Sequence, residues 1–149
     1  MKSILILDDE ADFRECLGEV VKRYGYRPVP HADGASALSL LASGEPIDAA
    51  IVDLIMPGMD GLEFLDRARR IAPYLPCIVL SGDSSIEHYL KAIQLGAVEY
   101  LNKPVRIGEL RKVILSAINK SAEGSAPGKE PFQRRDEGSW TEKAPWSAL

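Results

Sequence analysis

The chain is expected to fold as a doubly wound α/β domain, a (βα)5 unit with a parallel five-stranded sheet. Two observations predict this. Short β-branched runs alternate five times with longer segments of helical periodicity, and three of the runs are apolar almost throughout, as central strands covered on both faces are. The length of 149 residues suits one domain with a sizeable core.

The elements follow in chain order. Ser3 to Asp8 is the first strand, with only Lys2 ahead of its apolar run and the acids Asp8, Asp9 and Glu10 at its end. A signal peptide would need small neutral residues there, so a cytoplasmic chain is expected. Phe13, Cys16, Leu17, Val20, Val21 and Tyr24 then form one helical stripe that Gly25 closes. Arg27 to His31 is the second strand, and Asp33 to Ser43 is a helix stopped by Gly44. Ala49 to Asp53 leads to a helix over Leu62 to Ala72, stopped by Pro73. Cys77 to Ser81 leads to one over Ser84 to Leu95, stopped by Gly96. The last strand, Val98 to Asn102, precedes a helix with Ile107, Leu110, Ile114, Ala117 and Ile118 on its stripe.

From Ser121 the composition changes. Of the 29 residues to Leu149, eight are apolar and four of those are Ala, too few to build a core. The expected division is a domain over 1–120 and a polar, flexible tail over 121–149. Phe132, Trp140, Trp146 and Leu149 are the tail's only large apolar side chains, which reads equally as a short linear anchor or as a disordered tail with no role.

Charge and cysteines exclude some functions. With 18 Lys and Arg against 22 Asp and Glu, the net charge of −4 argues against direct nucleic acid binding. No apolar run approaches the 18 or so residues of a membrane span. Cys16 and Cys77 lack metal-ligand spacing and are expected as buried free thiols, and His31 and His88 have no ligand partner in sequence.

Ligands of open parallel sheets bind beyond the carboxyl ends of the strands. There the first strand ends in Asp8 and Asp9, the third in Asp53 and the fourth in Ser81, and Asn102, Lys103 and Pro104 follow the fifth. The first strand is central in both common doubly wound orders, and in the flavodoxin-like one the third is its neighbour, which unites the three acids. Three adjacent carboxylates repel unless a cation intervenes, and an all-oxygen site suits Mg2+. Taken singly, each residue has a plainer reading: Asp9 or Glu10 as a helix N-cap, Lys103 as a solvated loop cation. Gly34, Gly58 and Gly61 read as turn residues, because neither a G-x-G-x-x-G nor a Walker A pattern is present.

The set Asp8-Asp9, Asp53-Leu54-Ile55-Met56-Pro57-Gly58-Met59-Asp60-Gly61, Ser81-Gly82, Tyr100 and Lys103-Pro104 resembles the receiver domain of two-component response regulators, single-domain chemotaxis regulators among them. The resemblance covers roughly residues 1 to 120. It implies a flavodoxin-like sheet of order 2-1-3-4-5 and phosphoryl transfer to Asp53 from phosphohistidine on a sensor histidine kinase or histidine phosphotransfer protein. It also implies Mg2+ held by Asp8 or Asp9, Asp53 and the main-chain carbonyl of Ile55, with Lys103 on the phosphoryl oxygens. Ser81 and Tyr100 would be the switch pair, and Lys103-Pro104 a cis peptide. Ile55 and Asp83 border the site at positions that vary in the family.

The expected output is a downstream protein target, or a second copy of the chain, docking on the last helix and the Tyr100 strand beside His88, Lys91, Arg106 and Arg111. Three other readings compete. The chain could be the receiver fragment of a longer regulator, although 29 further residues are too few for a winged-helix output domain. An aspartate-nucleophile phosphatase would need D-x-D after the first strand, where the acids here are adjacent. A flavodoxin-like binding module gives no reason for Lys103 and the acids to coincide.

Overall fold

The computed structural model describes residues 1–82 and 85–122. Its strands are β1 (Ser3–Leu7), β2 (Arg27–His31), β3 (Ala49–Asp53), β4 (Cys77–Ser81) and β5 (Ala97–Asn102). They alternate with α1 (Ala11–Arg23), α2 (Gly34–Ala42), α3 (Gly61–Ile71), α4 (Ile86–Gln94) and α5 (Ile107–Ala122). All neighbouring strands pair in parallel, in the order β2-β1-β3-β4-β5, which is the flavodoxin-like sheet. Among the described residues no helix is long and apolar enough to cross a membrane.

The three central strands are buried at every position, because helices cover both faces and no side of the strand meets water. Alternate residues therefore feed two separate cores. Leu5, Leu7, Val52, Val79 and Tyr100 pack with α2, α3 and α4. Ile4, Ile6, Ile51, Leu80 and Leu101 pack with α1 and α5. The edge strand β2 is more exposed and carries Pro28 and Pro30. The Arg27 N–H donates to Lys2 O at 2.8 Å, so by alternation the prolines occupy the positions whose N–H would point away from β1.

The helix boundaries have local causes. The side chains of Asp33, Asp60 and Ser85 cap α2, α3 and α4 by accepting from the N–H groups of Ser36, Glu63 and His88. Gly25, Gly44 and Gly96 end helices at φ between 83° and 98°, a left-handed conformation open chiefly to glycine. The helix expected from Ser84 begins in the structure at Ile86; Ser84 and Asp83 lie outside the described residues, as do residues 123–149 with the tail's four large apolar side chains.

Two expectations about side chains are corrected. Cys16 is exposed, and only Cys77 is buried: α1 turns a narrower face to the sheet than its sequence stripe suggested, with Leu17 and Val21 alone fully covered. In α5, Ile107 is 57% exposed and Val113 takes the core position. Ile107 belongs to the first turn, beyond the sheet, and Val113 fits the spacing of Leu110, Ile114 and Ala117.

Candidate functional site

Strand periodicity brings the acids and the lysine together. Asp53 continues the side of β3 that bears Ile51, Asp8 the side of β1 that bears Ile6, and Lys103 the side of β5 that bears Leu101. All three apolar residues belong to the core under α1 and α5. Beyond the strand ends these columns run out into a charged cluster. Oxygens of Asp8, Asp9 and Asp53 all lie within 4.8 Å of one another. Lys103 Nζ is 3.0 Å from Asp8 Oδ2 and 3.8 Å from Asp53 Oδ1. Asp8 and Asp53 are buried, and Asp9 is exposed to solvent.

None of the three acids serves as a helix cap. Glu10 occupies the N-cap position of α1, but its side chain makes no capping hydrogen bond. Instead Asp8 Oδ1 accepts from the Glu10 N–H at 2.8 Å, and Arg14 Nη1 donates to the Asp8 carbonyl at 2.8 Å. The loop is thus tied from both sides of Asp8. At the neighbouring strand, the Ile55 N–H donates to Asp53 Oδ1 at 3.4 Å, while the Ile55 side chain is more than half exposed at the rim.

Burial pushes the Asp53 carboxyl up from its ordinary 3.8 to about 6. Lys103 opposes the rise, Asp8 reinforces it, the Ile55 N–H opposes it and Asp9 adds to it. An anionic Asp53 is therefore a strained charge, one that a second cation would relieve. Ligand oxygens opposed across a magnesium ion lie about 4.2 Å apart, so the three carboxylates need only small side-chain adjustments to share one. The donor set is all oxygen, which fits a hard divalent cation.

Ser81 and Tyr100 lie on the other side of the sheet. Ser81 is fully buried at the end of β4 and its register partner is Asn102; the Lys103 N–H donates to Ser81 O at 2.7 Å. Tyr100 is 1% exposed, its ring meeting that of Tyr89 edge-on at 5.4 Å. It thus adds almost nothing to the surface expected to carry it. Arg111, expected beside it, lies over the Tyr24 ring at the seam between α1 and α5, 5.3 Å from the centroid. The peptide between Lys103 and Pro104 is cis.

Three close contacts escaped the sequence. Phe13 lies under the Lys103 ammonium, 4.1 Å from ring centroid to Nζ; in sequence it reads only as the first member of an apolar stripe. Gly61 reads as a turn residue but starts α3, where a Cβ would come within 2.6 Å of Asp53 O and Leu54 Cα. Likewise Gly34 opens α2 against Met59, whose sulfur would be 2.7 Å from an added Cβ. Only the turn residue Gly58, at φ 79°, matches its expected role. A cleft of about 400 Å³ lies at the far end of the sheet, lined in part by Leu65, Cys77 and Leu95. Among the described residues no acid lines it, and it sits away from the carboxyl ends of the strands.

Comparison with known proteins gives the same picture. The response regulator receiver domain family matches residues 4–115. The chain is 35% identical to the Regulator of RpoS of Escherichia coli K12 over 136 residues, 91% of this chain and 40% of that protein. It is 32% identical to the response regulator MprA of Mycobacterium sp. strain KMS over 124 residues, 83% of this chain and 54% of that one. The chain therefore spans about half or less of the length of these curated relatives. Among solved structures, a CheY-like receiver domain protein from Methanospirillum hungatei superposes with a TM-score of 0.80 at 26% identity, covering 84% of this chain and 99% of the other. The family match begins at the first fully buried residue of β1 and ends well inside α5, so it takes in every strand and the whole acidic cluster. The chain belongs to the response regulator receiver domain family, whose members are signalling phosphoacceptor domains rather than classical enzymes.

Proposed function

We propose that this chain is a phosphoacceptor response regulator of a two-component system or phosphorelay. In this reading it takes a phosphoryl group onto Asp53 from phosphohistidine on a sensor kinase or phosphotransfer protein. One observation carries the proposal: two buried carboxylates and an exposed third converge with a lysine at the carboxyl ends of the strands, and Asp53 there is a poorly stabilised anion.

The chain's own residues divide the work. The Asp53 carboxylate is the nucleophile, held in place by the Ile55 N–H. Asp8 and Asp9 with Asp53 would hold the magnesium ion, joined by the main-chain carbonyl of Ile55. When bound, the ion neutralises charge on the transferring group and orients it. Lys103 already reaches both Asp8 and Asp53, so a short swing puts its ammonium on the phosphoryl oxygens. The protein's contribution is then mainly position and countercharge.

Modified Asp53 presents new acceptor oxygens to the Ser81 hydroxyl across the strand end. Ser81 and Tyr100 share the α4 side of the sheet, so a moving Ser81 alters the packing of Tyr100 on Tyr89 and hence of α4. The signal would pass to a protein partner or a second copy of the chain through α4, β5 and α5, where Ile86 and Leu90 are about half exposed. A domain over residues 1–120 carries these steps, and the cytoplasm is the expected setting.

Acetyl phosphate with magnesium should add one phosphoryl group, stable to acid and labile to base and hydroxylamine. In Asp53→Asn the adduct should be absent by intact-mass measurement, and labelling at the wild-type level would remove the proposal. A second reading has its own support. The curated relatives are longer than this chain, so the same receiver chemistry would serve equally as one part of a larger regulator.

A further inference from the structure

We infer that Phe13 is a positioning residue for Lys103: its ring keeps the ammonium at the site while the carboxylates change partners. The inference rests on the phosphoacceptor reading and goes beyond it, because Phe13 touches neither a metal-ligand oxygen nor the phosphoryl group in that scheme.

The two oxygens of Asp8 have different partners. Oδ1 accepts from the Glu10 N–H, a backbone group fixed at the start of α1, and Oδ2 accepts from Lys103. A divalent cation bound by Asp8 and Asp53 sets a second positive charge on the carboxylates that hold Lys103, and repels the ammonium. The Glu10 N–H is an uncharged donor that the cation does not repel, so Lys103 is the partner that yields. Asp53 is 3.8 Å away and is itself one of the carboxylates the cation would take. Lysine is a strongly hydrated point charge on a flexible stem. Released by both acids, it would favour water over the site.

The ring of Phe13 is a neighbour that this exchange leaves alone. It lies 4.1 Å from Nζ, within the range in which an aromatic face attracts an ammonium. Phe13 is half-buried and packs against the core under α1 and α5, which fixes the ring. A strongly hydrated magnesium ion has carboxylates to prefer, so the face stays with the lysine. The Lys103 side chain is 20% exposed, which keeps the attraction from being fully screened. Leucine at position 13 would fill the same apolar position and offer no face.

The test replaces Phe13 in the full chain with phenylalanines bearing one, two or three ring fluorines, which keep the shape and drain the charge from the face. With acetyl phosphate and saturating magnesium, the initial phosphorylation rate should fall stepwise, on the order of tenfold across the series. Phe13→Leu should match the trifluorinated variant. The magnesium dissociation constant, measured by calorimetry, should stay constant or tighten, since a less well held Lys103 competes less for Asp8. A rate that is flat across the series, or magnesium affinity that weakens in step with the rate, would overturn the inference and leave Phe13 a packing residue. Failure of the underlying reading looks different: the unsubstituted chain itself would take no phosphoryl group, and the inference would fall with it.

Discussion

A single carboxyl sets the balance between stability and chemistry. Asp53 titrates near 6 in the folded chain against an ordinary 3.8, so between those values the folded state holds the proton more tightly than the unfolded one. Stability therefore falls as pH rises through this window, and above about pH 6 the whole cost remains. A shift of this size corresponds to about 3 kcal/mol at most. Metal-free Asp53→Asn should accordingly be more stable than the parent at pH 7.5, by on the order of 1–3 kcal/mol in urea unfolding, with the difference gone below about pH 4. An advantage that persists at low pH would mean that packing, not charge, is responsible. The thiols give a second prediction. Burial pushes Cys77 up to about 12, whereas Cys16 is exposed, so a thiol reagent should label Cys16 alone in the native chain and both after unfolding. Sequence periodicity could not tell these two cysteines apart, because each sits in an apolar segment. The difference is which side of the element meets its neighbour.

Packing of α3 against β3 joins element geometry to the site. The Gly61 N–H donates to Leu54 O at 2.7 Å, and a Cβ at Gly61 would stand 2.6 Å from two backbone atoms that have no flexible side chain to move aside. Gly61→Ala should therefore cost roughly 2–4 kcal/mol and shift the Asp53-Leu54 backbone, slowing phosphorylation as well. A neutral result in both unfolding and phosphorylation would show that α3 can slide away. Gly34→Ala, facing the flexible end of Met59, should be milder. Elements of this kind were legible in the sequence because continuous burial and helical stripes repeat five times, with Gly25, Gly44 and Gly96 marking ends. The acidic cluster was legible for the same reason, since strand ends are where parallel sheets bind. Contacts between elements were not: nothing in local order tells that Phe13 meets Lys103, that Gly61 touches the β3 backbone, or that Tyr100 turns inward to Tyr89.

The two cores close around one sheet, and among the residues of α5 whose burial is described the last buried one is Ile118, ahead of the helix end at Ala122. A chain ending at residue 122 should thus unfold in one cooperative transition at the parent's urea midpoint and accept phosphoryl groups at the parent's rate. A lower midpoint or slower phosphorylation would move the domain boundary into the segment beyond. The sheet has two open sides, β2 and β5, and they are not equivalent. With Pro28 and Pro30 at the outward-pointing positions of β2, that margin offers acceptors but lacks the donors another chain would need to add a strand. Copies of this protein crowded together are barred from fusing sheet to sheet on the β2 side, so association by strand addition has only β5 open to it, beside the very elements that would carry the signal.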